Sequence, residues 1–237
     1  MHDRESRTVI PTDVDFARPP REVPHPRVYT SLLLGFAAAG LVLAFVGLTV
    51  DVLEGDTRVF DAYLAHAAQA LRRSHPWLGE IMRDLSGLGS TVVLTLFVAL
   101  TSGYLLVAGR RATALLVALS SILGALAVAV LKVMFGRPRP DAGLAEVVAS
   151  GLSFPSGHAT MAAVVFLTLG ALVSSTRGVW RERGYILLAA AVLTLAVGLS
   201  RVVLGVHWAT DVVGGWAFGS AWAVLWLLVA RRLAHHR

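Results

Sequence analysis

The amino-acid sequence predicts an all-α membrane protein, a bundle of six transmembrane helices. The first observation is composition: of 237 residues, 56% are hydrophobic and 15% are charged, whereas soluble domains carry about 25% charged residues. The mean hydropathy is +0.68. The second observation is that the apolar residues are gathered in six uncharged stretches, whereas a transmembrane β-barrel would show alternating segments of about ten residues.

The six stretches are each long enough, or nearly so, to cross about 30 Å of hydrocarbon as a helix. They are Val28–Val50, Leu85–Gly109, Ala112–Leu131, Ala159–Thr176, Gly184–Ser200 and Val212–Ala230. The fourth and fifth are short, but flanking His158 and Val202–Val203 extend them. Each is predicted to be helical because unpaired backbone groups in lipid are costly.

Polar ends flank a single membrane domain, predicted over residues 28–232. Residues 1–27 are polar, charged and Pro-rich, and they are too long and too acidic for the start of a signal peptide. We therefore expect a flexible cytoplasmic tail there and a second short cytoplasmic tail at 233–237. The chain has no Cys, so cysteine usage gives no information on the redox compartment.

The arginines predict the orientation. With the N-terminus inside, the inner segments hold 13 of the 21 basic residues, as the positive-inside rule requires. This placement accounts for the net charge of +6 without nucleic-acid binding, for which no soluble basic face is visible. The Arg-rich, Lys-poor composition suits a bacterium of high genomic GC content. We therefore expect a multi-pass protein of the bacterial plasma membrane with both termini cytoplasmic.

Between the first two spans, Asp51–Asp84 is predicted to be an outer amphipathic segment. Its apolar residues recur at spacings of three and four, which places them on one helical face. They are Phe60, Tyr63, Leu64, Ala67 and Leu71. An amphipathic helix on the outer membrane surface is the favoured interpretation, and a lid that guides substrate is the functional alternative.

Three polar segments interrupt the apolar sequence where ionisable groups are costly and usually functional. They are Lys132-x6-Arg139-Pro140 at the end of the third span, Pro155-Ser156-Gly157-His158 opening the fourth, and Ser200-Arg201-x5-His207-x3-Asp211 between the fifth and sixth. The predicted topology puts all three on the outer side. The sequence therefore predicts an active site at the outer membrane face.

Cations in these segments predict an anion-binding pocket. Lys132, Arg139 and Arg201 would face one small space, and the guanidinium fork matches the oxygens of a phosphoryl group. Ser156 and Gly157 begin a helix, so their backbone N–H groups, the Ser hydroxyl and the helix dipole add donors for the same anion.

Two histidines and a carboxylate predict the chemistry. His207 and Asp211 are four residues apart, so on a helical turn the carboxylate can fix the tautomer that leaves one imidazole nitrogen as a nucleophile. His158 can protonate the departing oxygen. These three residues could also hold zinc, but three neighbouring cations would oppose the ion. No metal or other cofactor is predicted.

Together the segments resemble the three signatures of the type-2 phosphatidic acid phosphatase superfamily, and every signature position is matched in order. The resemblance implies a six-span lipid phosphatase that works without metal through a phosphohistidine. It implies His207 as nucleophile, Asp211 as its orienting partner and His158 as the acid–base residue. The implied phosphate ligands are Lys132, Arg139, Ser156, Gly157 and Arg201. Arg137 lies in the variable stretch of the first signature and receives no role.

The predicted substrate is a lipid phosphomonoester or diphosphate, such as undecaprenyl diphosphate, phosphatidylglycerol phosphate or phosphatidic acid. A phosphotransferase with an acceptor other than water is an alternative, because its first half-reaction is the same. A non-catalytic lipid-binding or transport protein is another, although the chain shows no internal repeat. The relatives that are vanadium haloperoxidases are soluble, which disfavours that activity. The sequence leaves the oligomeric state open; Gly215-x3-Gly219 predicts close helix packing, within the bundle in preference to between subunits.

Overall fold

The structure is a computed structural model that describes residues 26–235. Helix accounts for 82% of it, and this part of the chain contains no strand. Residues 1–25 of the predicted N-terminal tail lie outside the described range. At the other end the last helix continues through His235, so most of the predicted C-terminal tail is helical.

The helices follow one another with short connections. They are α1 (Pro26–Glu54), α2 (Arg58–Ser74), α3 (Trp77–Leu88), α4 (Thr91–Val107), α5 (Arg111–Phe135), α6 (Gly157–Ala162), a π-helical segment (Ala163–Leu167), α7 (Thr168–Ser175), α8 (Trp180–Val203) and α9 (Ala209–His235). Six helical segments are long and apolar enough to span a membrane: α1, α3 with α4, α5, α6 through α7, α8, and α9. The predicted six-span, all-α fold is confirmed.

The second span begins earlier than the sequence predicted, at Trp77 instead of Leu85. The sequence criterion counted only uncharged residues, and Glu80, Arg83 and Asp84 therefore placed this helix in the outer segment. Helix α4 starts afresh after Ser90, whose Oγ accepts a hydrogen bond from the Val93 N–H at 3.3 Å. Such an N-cap satisfies one of the free N–H groups of the new helix.

Large apolar side chains cover the outside of the bundle. Phe36 is 75% exposed and Val92 is 79% exposed, which is costly in water and favourable in lipid. Inside, α9 packs against α6 through the predicted glycines: a Cβ at Gly219 would lie 2.5 Å from the carbonyl oxygen of Thr160, and one at Gly215 3.0 Å from that of Ser156. The close packing at these glycines is thus within the bundle.

Helix α2 lies over the end of the bundle that carries the three polar segments, here called the site end. Its predicted apolar stripe, which includes Tyr63, is largely exposed, and its opposite face is buried. On the buried face Arg72 donates to the carbonyl oxygens of Val203, at the end of α8, and of Leu144 at 2.5 Å. Helix α2 is therefore fixed to the bundle by a face that carries two charged residues, Asp61 and Arg72, beside two alanines.

Candidate active site

Two glycines end the helices that lead into the first and third polar segments. Gly136 follows α5 with φ of 61°, and Gly205 follows α8 with φ of 72°, the left-handed region that favours glycine. A Cβ at Gly205 would also collide with the carbonyl oxygen of Leu144. These tight turns allow the first and third segments to meet directly after their helices end.

Hydrogen bonds join the three segments at the site end. Arg139 Nη1 donates to the Val206 carbonyl at 2.7 Å, which joins the first segment to the third. The Ser156 N–H donates to the Asp211 carbonyl at 2.9 Å, which joins the second to the third. A Cβ at Gly157 would lie 3.8 Å from Cε of Lys132. The structure thus brings together the segments that the sequence placed on one side.

His207 and Asp211 form a buried pair at the start of α9. His207 Nδ1 lies 3.3 Å from Asp211 Oδ2, and His207 Nε2 lies 3.0 Å from Arg139 Nη1. Because a guanidinium can only donate, Nε2 must be the acceptor and Nδ1 carries the proton. In this tautomer the Nε2 lone pair is available to attack an electrophile.

The surroundings keep the His207 imidazole neutral. Burial lowers the pKa of His207 to about 4, although the hydrogen bond and charge of Asp211 act in the opposite direction. The positive charges of Arg139 and Lys132 lower this pKa further. Near pH 7 the ring is therefore unprotonated at Nε2, as a nucleophile requires.

Asp211 accepts more hydrogen bonds than the sequence predicted. Besides His207, its Oδ2 accepts from the Ser153 hydroxyl and from the Trp208 N–H at 2.9 Å. Its Oδ1 accepts from Arg137 Nη1 at 2.6 Å. Opposite oxygens of the carboxylate are thus held by different donors, which fixes its rotation as well as its position.

The cations Lys132 and Arg139 also hold the loop that leads into α6. Lys132 Nζ donates to the carbonyl oxygen of Leu152 at 2.5 Å and to that of Ser153 at 3.3 Å. Arg139 donates to the carbonyl oxygens of Ser150 and Gly151, each at 3.0 Å. Each cation keeps an N–H that these bonds do not use, so loop binding and anion binding are compatible.

Two buried donors of the polar segments lack a protein partner. Among the side chains that the structure describes, Ser156 Oγ and Arg201 Nε have no hydrogen-bond partner, although Arg201 Nη1 donates to Ser86 Oγ at 2.5 Å. A buried polar group without a partner costs about 1–3 kcal/mol. An oxyanion between these donors would satisfy both.

His158 lies at the edge of an apolar cavity of about 360 Å³ between α4, α5 and α6. The ionisable side chains that interact electrostatically with His158 are those of Arg201, His207, Arg139 and Lys132. The cavity walls are mostly apolar, and they include Leu94, Val98, Val128, Met161 and Val165. Its lining residues Thr95, Ile122 and Ala125 are exposed, so it opens sideways between α4 and α5.

Sequence reasoning missed several polar residues of the site, among them Ser86, Ser153 and Arg137 in its bridging role. It also missed Asp61, whose Oδ2 accepts from Arg137 Nη2 at 2.6 Å. Arg137 was visible inside the first signature, and Ser153 lies just before the second. Asp61 and Ser86 lie far along the chain, and no local spacing links either to the three segments. Their participation follows from helix packing alone.

Comparison with known proteins points to one family. The sequence profile of the PAP2 superfamily matches residues 113–234. The chain is 31% identical over 186 residues to phosphatidylglycerophosphatase B of Bacillus subtilis, covering 78% of this chain and 90% of the relative. It is 35% identical over 158 residues to decaprenylphosphoryl-5-phosphoribose phosphatase of Mycobacterium tuberculosis, covering 65% of this chain and 81% of that one.

A solved structure is also similar. The crystal structure of a transmembrane PAP2-type phosphatidylglycerolphosphate phosphatase from Bacillus subtilis superposes with a TM-score of 0.79 at 28% sequence identity. The match covers 85% of this chain and 100% of that one. The likeness thus extends over nearly the whole bundle.

Proposed function

We propose that this chain, which belongs to the PAP2 superfamily and is a membrane lipid phosphatase, hydrolyses a lipid phosphate through a phosphohistidine on His207. The observation that carries the proposal is the tautomer of His207. Its Nδ1–H faces Asp211 and its Nε2 lone pair faces the cation Arg139, where a phosphoryl group would bind.

In the first half-reaction, Nε2 of His207 attacks phosphorus, and the bond from phosphorus to the lipid oxygen breaks. The Arg139 hydrogen bond on Nε2 passes to a phosphoryl oxygen, and Lys132, Arg201 and the Ser156–Gly157 turn bind the others. His158 gives its proton to the leaving oxygen. Asp211 stabilises the positive charge that develops on the His207 ring.

In the second half-reaction, water attacks the phosphohistidine and His158 takes the water proton. The nitrogen–phosphorus bond breaks, which releases inorganic phosphate and restores neutral His207. Because the fixed cations supply the positive charge that a phosphoryl group needs, we propose that the reaction requires no metal ion.

The apolar cavity supports a lipid as the substrate. His158 lines it, and a group that protonates the leaving oxygen must stand next to the leaving lipid. A chain entering between α4 and α5 would place its ester oxygen at His158 and its phosphate among the cations. The relatives bear the names of phosphatases for a glycerophospholipid and for a polyprenyl phosphosugar, so we propose lipid phosphomonoesters or diphosphates of these two kinds.

Release of inorganic phosphate from a panel of lipid phosphates by the purified protein in detergent tests this function. We expect activity that persists in EDTA and is inhibited by vanadate, because vanadate adopts the five-coordinate geometry of phosphoryl transfer. Activity that disappears on chelation and returns with magnesium or zinc would contradict the metal-independent mechanism.

A substitution in the cavity separates lipid recognition from phosphoryl transfer. Ala125→Trp fills the lateral opening, and a misplacement of about 1 Å costs on the order of 100-fold. We therefore expect kcat/KM on a long-chain lipid phosphate to fall roughly 10- to 100-fold, with little change on p-nitrophenyl phosphate. The matched control is Ala99→Trp, at an exposed alanine of α4 that does not line the cavity. Equal losses in both variants would argue against this tail site.

The arginine distribution supports a site that faces outward, with both termini in the cytoplasm. Single cysteines test this orientation in the native, cysteine-free background. We expect Ala142→Cys, next to the site, to react with a membrane-impermeant thiol reagent on intact cells, and Ser175→Cys to remain unlabelled. Both positions are exposed, so accessibility is matched. The reversed pattern would place the site in the cytoplasm.

A further inference from the structure

A buried chain of charges connects the nucleophile pair to α2. Arg137 Nη1 donates to Asp211 Oδ1 at 2.6 Å, and Arg137 Nη2 donates to Asp61 Oδ2 at 2.6 Å. The side chain of Arg137 is 12% exposed and that of Asp61 only 1%. One guanidinium therefore bridges two buried carboxylates, one beside His207 and one on α2.

Asp61 also binds the first turn of α9. Its Oδ1 accepts from the Thr210 N–H at 3.0 Å, and its Oδ2 accepts from the Thr210 hydroxyl at 2.6 Å. The first N–H groups of a helix have no partner within it, and a carboxylate there is stabilised by the helix dipole. Asp61, a residue of α2, thus caps the N-terminus of α9. The residue that it binds, Thr210, directly precedes Asp211 in the chain.

Arg137 and Asp61 both help to position Asp211, Arg137 by direct contact and Asp61 by way of Arg137 and Thr210. Arg137 holds the Oδ1 of Asp211, which leaves Oδ2 turned toward His207. Thr210 links both ends, because its hydroxyl accepts from Arg137 Nη1 at 2.8 Å while it donates to Asp61. Without Arg137, two buried carboxylates would lose the cation between them. Asp211 would lose the bond that fixes its Oδ1, while Ser153 and the Trp208 N–H would still hold its Oδ2.

We propose that Asp61 and Arg137 are a positioning pair for the nucleophile: they hold Asp211 in the orientation that keeps the proton on Nδ1 of His207. The proposal rests on the function proposed above, in which His207 attacks phosphorus. Neither residue contacts Nε2, so each acts through Asp211.

The test measures kcat, KM and the His207 tautomer in the full-length protein in detergent. The tautomer is read from ring-nitrogen chemical shifts of ¹⁵N-histidine-labelled protein saturated with inorganic phosphate, with His207→Ala identifying the signal. The bound phosphate takes up the Arg139 N–H that otherwise makes Nε2 the acceptor, so the tautomer then depends on Asp211. In Arg137→Gln we expect a mixture of tautomers and a kcat lower by about 10- to 100-fold, the usual cost of losing a partner that orients a functional group. KM should change little, because the phosphate ligands are intact. Asp61→Asn keeps the size of the side chain and an acceptor for Thr210, so it should change kcat and the tautomer in the same direction but by less. If Arg137→Gln does not fold, Asp61→Asn provides the test.

Two arginines at the same end of the bundle serve as controls. Arg72 is also buried and also fixes α2, but its partners are Val203, Leu144 and Glu146. Arg72→Gln should lower the melting temperature and keep the wild-type tautomer. Arg83 forms an exposed ion pair with Glu146, so Arg83→Gln should leave both kcat and the tautomer unchanged. A tautomer shift in Arg72→Gln as large as that in Arg137→Gln would overturn the proposal, because loss of α2 docking would then explain both.

A double-mutant cycle tests whether the pair acts through Asp211. In an Asp211→Asn background, Arg137→Gln should cause little further loss of kcat, whereas independent effects would multiply. Multiplying losses, or a wild-type tautomer and kcat in Arg137→Gln alone, overturn the positioning role. Failure of the proposed function looks different: His207→Ala would retain phosphatase activity, while the tautomer comparison would still decide the role of the pair.

Discussion

His207→Ala is expected to abolish phosphate release from every substrate, whatever its leaving group. In the proposed mechanism the variant lacks the nitrogen that attacks phosphorus, and removing a catalytic nucleophile costs on the order of 10⁶-fold in kcat. Inorganic phosphate should be measured with a lipid phosphate and with p-nitrophenyl phosphate. Acid-labile phosphate on the trapped wild-type protein should also be absent from the variant.

The matched control is His66→Ala, at an exposed histidine of α2, which should keep the wild-type rate. Gel filtration in detergent shows whether each variant is folded, a necessary check because His207 is buried and hydrogen-bonded. Turnover by folded His207→Ala above the background rate would assign the nucleophile elsewhere.

His158→Ala is expected to lose activity in a way that depends on the leaving group. General-acid catalysis contributes about 10²- to 10⁴-fold, and we expect a loss of that size on a lipid or other alkyl phosphate. p-Nitrophenolate departs readily without a proton, so the loss on p-nitrophenyl phosphate should be much smaller. The ratio of the two kcat values, variant to wild type on each substrate, is the measurement.

The comparison contains its own control for misfolding, because a misfolded protein would lose both activities equally. Equal losses in a variant that gel filtration shows to be folded would make His158 a phosphate ligand without an acid–base role. Asp211→Asn should fall between the two histidine variants on both substrates, since it disturbs the His207 tautomer without removing the ring.

The number of spans could be predicted from the sequence because the requirement is local. A helix in lipid needs an apolar run of sufficient length, and five of the six predicted spans differ from the structure by a few residues at each end. The exception is the second, where α3 carries charges on an amphipathic helix and a criterion based on uncharged runs starts eight residues late. In an amphipathic helix, charged residues of one face interrupt the apolar residues of the other along the sequence, so a search for uncharged runs does not detect it.

The meeting of Lys132, His158 and His207 could also be predicted, because alternate span ends lie on the same side of a membrane. Four-residue spacing was enough to pair His207 with Asp211, although His207 lies two residues before α9 begins and the chain enters the helix between them.

The remaining hydrogen bonds to Asp211 depended on tertiary packing. Arg137 reaches Asp211 across 74 positions of the chain, and Asp61 reaches Thr210 across 149. Periodicity describes which face of α2 is apolar, but it cannot say that the opposite face covers the start of α9. That placement depends on how α2 sits on the ends of α8 and α9, where Arg72 and Asp61 satisfy backbone groups at the two helix ends. Local sequence was therefore sufficient to predict the number of spans and to propose the candidate catalytic residues. Only the packing of α2 showed which buried charges hold those residues in place, because a buried charge is paired with whatever partners the fold brings to it.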